Sequence, residues 1–366
     1  MEKLAKKSQK HQSKRVINRW FVVGVCAFLL IVIGFVKIPR FISDNNLKSL
    51  GYTETAITYI NKYKLASNFI DNDIYSDYLA TAITQDDFRK DDIEMYLANT
   101  SLDDFDWFMY DKLQNFDYSK EEAVQLVSSL EDFELTPLVV FDHLTDINAY
   151  IQDCEANRDT NSVDSFILDD SYIEYYANTT AVTDPSAINK LVNKSNYLSE
   201  DYVPDLVDMD LNYAAAGLQM DKTAYEYFKE MCEAAKDDGY IIYAGSAYRS
   251  YAYQDELFNN YIKSEGESMA LQLAAKAGFS EHQTGLAVDM VAGTSGLSKF
   301  GDTPEYAWML EHSYEYGFIL RYPENKTSLT GYGYEPWHYR FVGVELAKKV
   351  HDSNLTYDEY YNLYLK

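Results

Sequence analysis

Cysteine is nearly absent: three residues in a chain of 366, with Cys26 inside an apolar run and only Cys154 and Cys232 beyond it. Two distant cysteines cannot form a disulfide scaffold, and neither has the C-x-x-C neighbour of a metal knuckle. Both therefore read as small buried apolar residues. Positive charge is scarce as well, 32 Lys+Arg against 58 Asp+Glu for a net charge of -26. Nine of those bases (Lys3, Lys6, Lys7, Lys10, Lys14, Arg15, Arg19, Lys37 and Arg40) fall within the first forty residues beside one acid, Glu2, so that segment carries +8 and the rest of the chain -34. An acidic body of that size repels nucleic acid, which excludes DNA or RNA as a partner. A hydrophobic fraction of 47% with 25% charged residues excludes a wholly disordered chain.

One long apolar run is present, Trp20 to Val36, without a charge and preceded by a basic segment. It is just long enough to cross a bilayer, with Trp20 placed for the interface. No A-x-A cleavage pattern follows it, so it predicts a retained signal anchor over 20–36 rather than a cleaved leader. A basic cytoplasmic tail over 1–19, which includes His11, then leaves the body of the chain on the outer side of the cell membrane.

Residues 44–188 hold only two prolines, Pro137 and Pro185. Amphipathic stretches starting at Thr53, Lys90 and Ser119 each open near a polar cap, with acids in the first turn and apolar residues at helical intervals. They predict an all-α stalk, with a hint of degenerate repeats. No residue cluster there suggests chemistry: His143 stands among apolar and acidic neighbours. An interaction arm for a wall or protein partner is the alternative to a spacer. Pro185 to Pro204 reads as a connector into a second domain over 189–366.

In that second domain, residues 223–238 place Tyr227, Phe228, Met231 and Ala235 on a helical stripe stopped by Gly239. Tyr240 to Ala244 reads as a buried strand, and a further helix follows from about Tyr253 to Ser264. Arg249, between Tyr248 and Ser250 at the mouth of the strand, is placed to present a planar fork to a carboxylate, although such an arginine is equally a surface ion-pair partner. His282 and Asp289, seven apart, can converge if the chain bends at Gly285. Glu335 and His338 face opposite ways on a regular strand, so one site takes both only if Pro336 marks a bulge or an edge. His282, Asp289 and His338 would offer three ligands and an open fourth position, the pattern of a catalytic zinc, with Glu335 as proton acceptor. Three scattered ligands of this kind also arise by chance in any chain.

Four blocks carry a resemblance: Ser246-Ala-Tyr-Arg-Ser-Tyr-x-x-Gln254, Ser280-x-His-x-x-Gly-x-Ala-x-Asp289, Tyr316-Gly-Phe-Ile-Leu-Arg-Tyr-Pro323 and Glu335-Pro-Trp-His-Tyr-Arg340. In this order the sequence resembles the VanY-type D-alanyl-D-alanine carboxypeptidases, a branch of the family that includes LdcB-type L,D-carboxypeptidases and shares its core with hedgehog-like zinc domains. The resemblance covers roughly 189–366 and implies an α+β fold, a small mainly antiparallel sheet flanked by helices, preceded by the transmembrane helix and the helical stalk. It implies His282, Asp289 and His338 as ligands of one Zn2+, with Glu335 as catalytic base. Arg249 would meet the substrate carboxylate or the scissile carbonyl, and Gln254, Ser280 and Trp337 would bind the peptide. The implied substrate is the D-alanine terminus of a peptidoglycan stem peptide. L,D-carboxypeptidase activity and a zinc-bearing wall-binding module without turnover are the alternatives. Ala247 stands where many relatives have glycine, a matter of turn geometry. His312 and His351 lie outside the motifs and read as structural or surface residues.

Overall fold

The computed structural model describes residues 40–93, 96, 105–141, 146–158, 172, 175–293 and 296–366. The predicted tail (1–19), the anchor (20–36), Cys26 and His143 lie outside the described residues. Among those described, no helix is long and apolar enough to cross a membrane. The chain divides into two compact units between Phe105 and Asp106.

The first unit is helical: α1 (Glu54–Tyr63), α2 (Ala66–Asp71) and α3 (Asp77–Ala82). Thr53 Oγ1 accepts from the backbone N–H of Ala56, closing the open first turn of α1 as its sequence suggests. Ala56, Ile60, Phe69 and Leu79 are buried in this unit. The stretch expected to begin a helix at Lys90 opens as a 3-10 turn, Lys90–Asp92.

The second unit begins with four more helices: α4 (Trp107–Asn115), α5 (Lys120–Ser129), α6 (Asp132–Val140) and α7 (Ile147–Asn157). Ser119 and Glu122 form the reciprocal capping box that starts α5. These helices fall within the expected stalk, yet they belong to the same unit as the motif-bearing domain, so the sequence-based boundary at 188/189 lies inside it. The reason is tertiary. Helix α6, with Leu135, Leu138, Val139 and Val140 buried, packs on the C-terminal helical segment, where Phe108 of α4 stacks on Tyr364 at 5.7 Å and the Lys366 ammonium sits over the Phe116 ring.

The segment from Pro185 to Pro204, expected as a connector, is likewise built in. Its Lys190, Leu191, Val192, Asn193 and Lys194 are buried. Asn193 donates to Asp358 at 2.8 Å, and the Lys194 ammonium donates to Leu271 O at 2.7 Å and to Gly331 O. Short strands β1 (Thr180–Ala181) and β2 (Asn196–Tyr197) pair in parallel beside it, and β3 (Leu206–Asp208) pairs antiparallel with β4 (Gln219–Asp221). Protein lacking residues 1–105 is therefore expected to keep the melting temperature that the second unit shows in the full-length chain, whereas a chain starting at 190 loses the partners of the C-terminal helices and melts several degrees lower. Equal melting temperatures in differential scanning calorimetry would contradict that packing argument.

Helix α8 (Lys222–Asp237), capped by the Asp221 carboxylate, buries Phe228, Met231, Cys232 and Ala235 against the main sheet. Tyr227, read from the sequence as part of that stripe, lies at its margin, 36% exposed, and stacks on Phe341. Gly239 (φ 92°) ends the helix in a conformation that disfavours a side chain. The main sheet holds β5 (Ile242–Ser246), β6 (Ala287–Ala292), β7 (Phe318–Tyr322) and β8 (Glu335–Phe341) in the order β5-β6-β8-β7, every pairing antiparallel. Around it lie α9 (Tyr251–Glu265), α10 (Glu267–Leu273), α11 (Pro304–His312), α12 (Thr327–Thr330), α13 (Val344–Ser353) and α14 (Tyr357–Tyr360). The small antiparallel sheet flanked by helices agrees with the α+β expectation. Cys154 and Cys232 are both free and buried, as their isolation in the sequence implied.

Candidate metal centre and cleft

Two irregularities in the sheet aim the site. On β5, Ala244 pairs with Met290 but Ser246 pairs with Asp289, so Gly245 is an extra residue that turns the strand end toward β6. A side chain at Gly245 would stand 2.9 Å from Val291 Cγ1. On β8 the disturbance is larger: Leu320 pairs with Tyr339, and Tyr322 with Glu335, so two steps along β7 span four along β8. This is the irregularity that Pro336 called for, and it brings Glu335 Oε2 to 3.6 Å from His338 Nδ1. The third piece is the 3-10 turn Glu281–Thr284, ended by Gly285 at φ 71°. There a Cβ would meet Pro204, Asp221 and Leu206 at 3.0–3.2 Å, so the bend suits glycine alone.

These turns bring His282, Asp289 and His338 together, with one donor atom from each within 4.8 Å of the others, all buried. Asp289 Oδ1 is 3.3 Å from His282 Nε2 and 3.1 Å from His338 Nδ1. Tetrahedral zinc with bonds near 2.0–2.1 Å needs ligand atoms about 3.3–3.4 Å apart, so these two edges already have the required length. The donor chemistry agrees. His282 Nδ1 lies 2.6 Å from the Ala247 carbonyl, which can only accept, so the proton resides on Nδ1 and the Nε2 lone pair faces Asp289. The residues present therefore fit a zinc ion.

The charges are strongly biased. Burial alone disfavours ionised Asp289, but the neighbouring His282 and Arg249 outweigh it and hold its carboxyl well below the usual range. Burial lowers His282 to about 4. It acts the same way on His338, where the neighbouring Asp289 and Glu281 carboxylates prevail and raise the ring to about 9. Glu335 is pushed up to about 7, chiefly by burial.

Arg249 donates from Nη2 to Asp289 Oδ2 at 2.5 Å, while Nε and Nη2 both reach Ser246 Oγ. Its fork is thus engaged by the site's own aspartate, a partner that the sequence did not indicate. Gln254, 1% exposed, donates to Ala275 O, and its buried Oε1 has no hydrogen-bond partner among the described residues. Ser280 Oγ caps the turn by accepting from His282 N. With half-buried Trp337, all of these residues line one cleft of about 640 Å³, whose wall continues along α9 through Tyr253, Leu257 and Tyr261. His312 and His351 lie apart from it, His312 tilted against Trp308 and His351 stacked on Tyr314.

Sequence reasoning passed over the layer beneath the site. Glu281, Arg321, Arg340 and Asp358 are all buried. Glu281 Oε1 accepts from Arg321 Nε at 2.8 Å and Arg340 Nη1 at 3.0 Å, and Arg321 Nη1 donates to Asp358 at 2.5 Å. The signal was available: Arg321 sits in the apolar strand Phe318-Ile-Leu-Arg-Tyr, and an arginine fixed in such a strand requires buried counter-charge.

Two histidines, an aspartate and a desolvated glutamate in an open cleft define a site of the metallopeptidase type. The profile described as "VanY: D-alanyl-D-alanine carboxypeptidase" matches residues 217–344. The putative carboxypeptidase YodJ of Bacillus subtilis (strain 168) is 41% identical over 188 residues, 49% of this chain and 69% of that protein. The D-alanyl-D-alanine carboxypeptidase of Enterococcus faecalis (strain ATCC 700802 / V583) is 36% identical over 181 residues, 47% of this chain and 65% of that one. Among solved structures, the LdcB LD-carboxypeptidase is 40% identical, covering 50% of this chain and 89% of its own, with a TM-score of 0.48. VanYB in complex with D-alanine-D-alanine is 34% identical, covering 49% and 99%, with a TM-score of 0.43. The chain belongs to the VanY family of D-alanyl-D-alanine carboxypeptidases.

Proposed function

We propose that the chain is a zinc-dependent carboxypeptidase that removes the C-terminal D-alanine from peptidoglycan stem peptides, held at the outer face of the cell membrane by its 20–36 segment. The observation that carries this reading is the Glu335 carboxylate, its side chain 18% exposed, 3.6 Å from His338 Nδ1 in the same cleft as the His282, Asp289, His338 donor set. The donor set would hold one zinc ion, which when bound supplies Lewis acidity and lowers the pKa of water to about 7. Glu335, held at about 7 by burial, takes the proton of the attacking water and returns it to the leaving amine. Among the described residues that line the cleft, Arg249 is the only Lys or Arg, so it meets the terminal carboxylate or the developing oxyanion. Gln254 Oε1, buried and unpaired, accepts a peptide N–H, and Ser280 and Trp337 complete the wall. The acidic body offers an anionic substrate no long-range attraction, so recognition falls to Arg249.

The test is mass spectrometry of defined stem peptides incubated with the full chain, first with zinc and then with a chelator. Loss of one alanine from the pentapeptide, abolished by the chelator, is the expected result. Loss from the tetrapeptide instead would establish L,D specificity. Cleavage of neither by zinc-loaded protein would overturn the enzymatic reading in favour of a wall-binding module.

A further inference from the structure

The three donors account for only one side of the His338 ring. Its Nδ1 faces Asp289 at 3.1 Å and Glu335 at 3.6 Å, and the rings of His282 and Tyr322 flank it, each with its centroid 4.9 Å away. Its Nε2 points away from the cleft donors toward Glu281 Oε2, 3.5 Å distant. Both atoms are buried, and among the described residues neither has a hydrogen-bond partner. Two mutually facing polar atoms with no other partner, one an N–H donor and the other a carboxylate oxygen, form an incomplete pair that closes with a shift of a few tenths of an ångström. Glu281 cannot turn away to be solvated, because Arg321 and Arg340 hold its other oxygen and Arg321 is itself clamped by Asp358.

We propose that Glu281 is the positioning residue of this metal centre: its Oε2 keeps the His338 proton on Nε2 and thereby directs the Nδ1 lone pair at the metal. This rests on the zinc reading given above and deepens it. His282 and His338 then present opposite nitrogens, His282 through Nε2 because the Ala247 carbonyl holds Nδ1–H, and His338 through Nδ1 because Glu281 holds Nε2–H. The support of the second ligand reaches beyond the cleft: Glu281 is fixed through Arg321 to Asp358 on α14, and Asp358 also accepts from Asn193 in the built-in connector. Glu281 is not one of the three donors and acts through His338, so its effect appears in the metal first and in turnover only as a consequence.

Glu281→Gln keeps the shape and lets the amide oxygen accept from both arginines, but it turns an N–H toward His338 Nε2. The donor-to-donor clash moves the ring proton to Nδ1 and removes the ligand lone pair. Competition with a chromogenic chelator on the full chain is expected to show zinc affinity about 10- to 100-fold weaker than wild type. At zinc concentrations that saturate the variant, kcat is expected to recover toward wild type. Glu281→Asp, which keeps the charge, is expected to restore part of the affinity. Nitrogen NMR of the histidine rings in the zinc-loaded wild type gives a test that requires no variant to fold, with protonated Nε2 and metal-bound Nδ1 expected for His338. Unchanged zinc affinity in Glu281→Gln, or a His338 ring bound through Nε2, would overturn the assignment. Zinc-loaded wild type that cleaves no stem peptide would instead sink the proposed reaction and leave this role standing.

Discussion

Replacing Glu335 by Ala is expected to leave one zinc per chain and a normal melting temperature while lowering kcat by about 10² or more on the stem peptide. Three features make this separation sharp. Glu335 is not one of the three donor residues, so elemental analysis should return the wild-type zinc content. Its carboxylate is held at about 7 by burial rather than by a strong ion pair, so removing it breaks no network. The histidine it approaches, His338, keeps Asp289 as partner at 3.1 Å. Loss of kcat with little change in KM is the pattern of an interaction made in the transition state. Turnover near the wild-type rate would remove Glu335 from the mechanism and reopen the choice of proton acceptor.

The second large effect concerns the layer beneath the site. Arg321→Met keeps an unbranched stem but removes the guanidinium, leaving the buried Asp358 carboxylate with the neutral Asn193 amide and no counter-charge from Arg321, and Glu281 with one of its two arginines. Breaking a buried ion pair from one side costs about 3–5 kcal/mol. For a unit of this size that lowers the melting temperature by on the order of 10 °C. The pH dependence carries a definite sign. Burial opposes ionisation of Glu281, but the two arginines outweigh it and hold its carboxyl below the ordinary range in the folded state. A depressed carboxyl contributes stability that is present above its unfolded pKa, about 4.3, and is lost as pH falls through the folded value. The deficit of Arg321→Met is therefore largest at neutral pH and narrows below about pH 4. Calorimetric scans at pH 7 and at pH 3.5 distinguish this from a packing defect, which would give the same deficit at both.

Some of this architecture was legible residue by residue. Thr53 and Ser119 announce helix starts because a hydroxyl beside an open first turn finds its N–H partners within three residues. Gly239 and Gly285 announce turns because positive φ is a local property. Gly285 and Pro336 even marked where the chain had to depart from regular geometry for His282 to approach Asp289 and for Glu335 to approach His338. The boundary of the second unit was not legible in this way. Helices α4–α7 look like any amphipathic series, and nothing within them declares that the surface they cover is the C-terminal segment at 357–366. The polar connector from Pro185 to Pro204 misled for a related reason: Asn193 and Lys194 read as solvated until Asp358 and carbonyls from distant segments are placed around them.

By itself, then, the sequence determined the chemical inventory: which side chains could ligate, which could carry a proton, and the order in which they enter. Capping, turn formation and residue chemistry depend on neighbours along the chain, so they are written in it directly. The tertiary structure alone decided that Arg249 lies against Asp289, that Glu281 stands behind His338 and that Arg321 joins Glu281 to Asp358. These pairs are separated by 37 to 57 residues, and strand register and two bulges decide whether they meet. A shift of one residue in β8 would turn His338 out of the cleft with the same sequence in place, because adjacent side chains on a strand point to opposite faces.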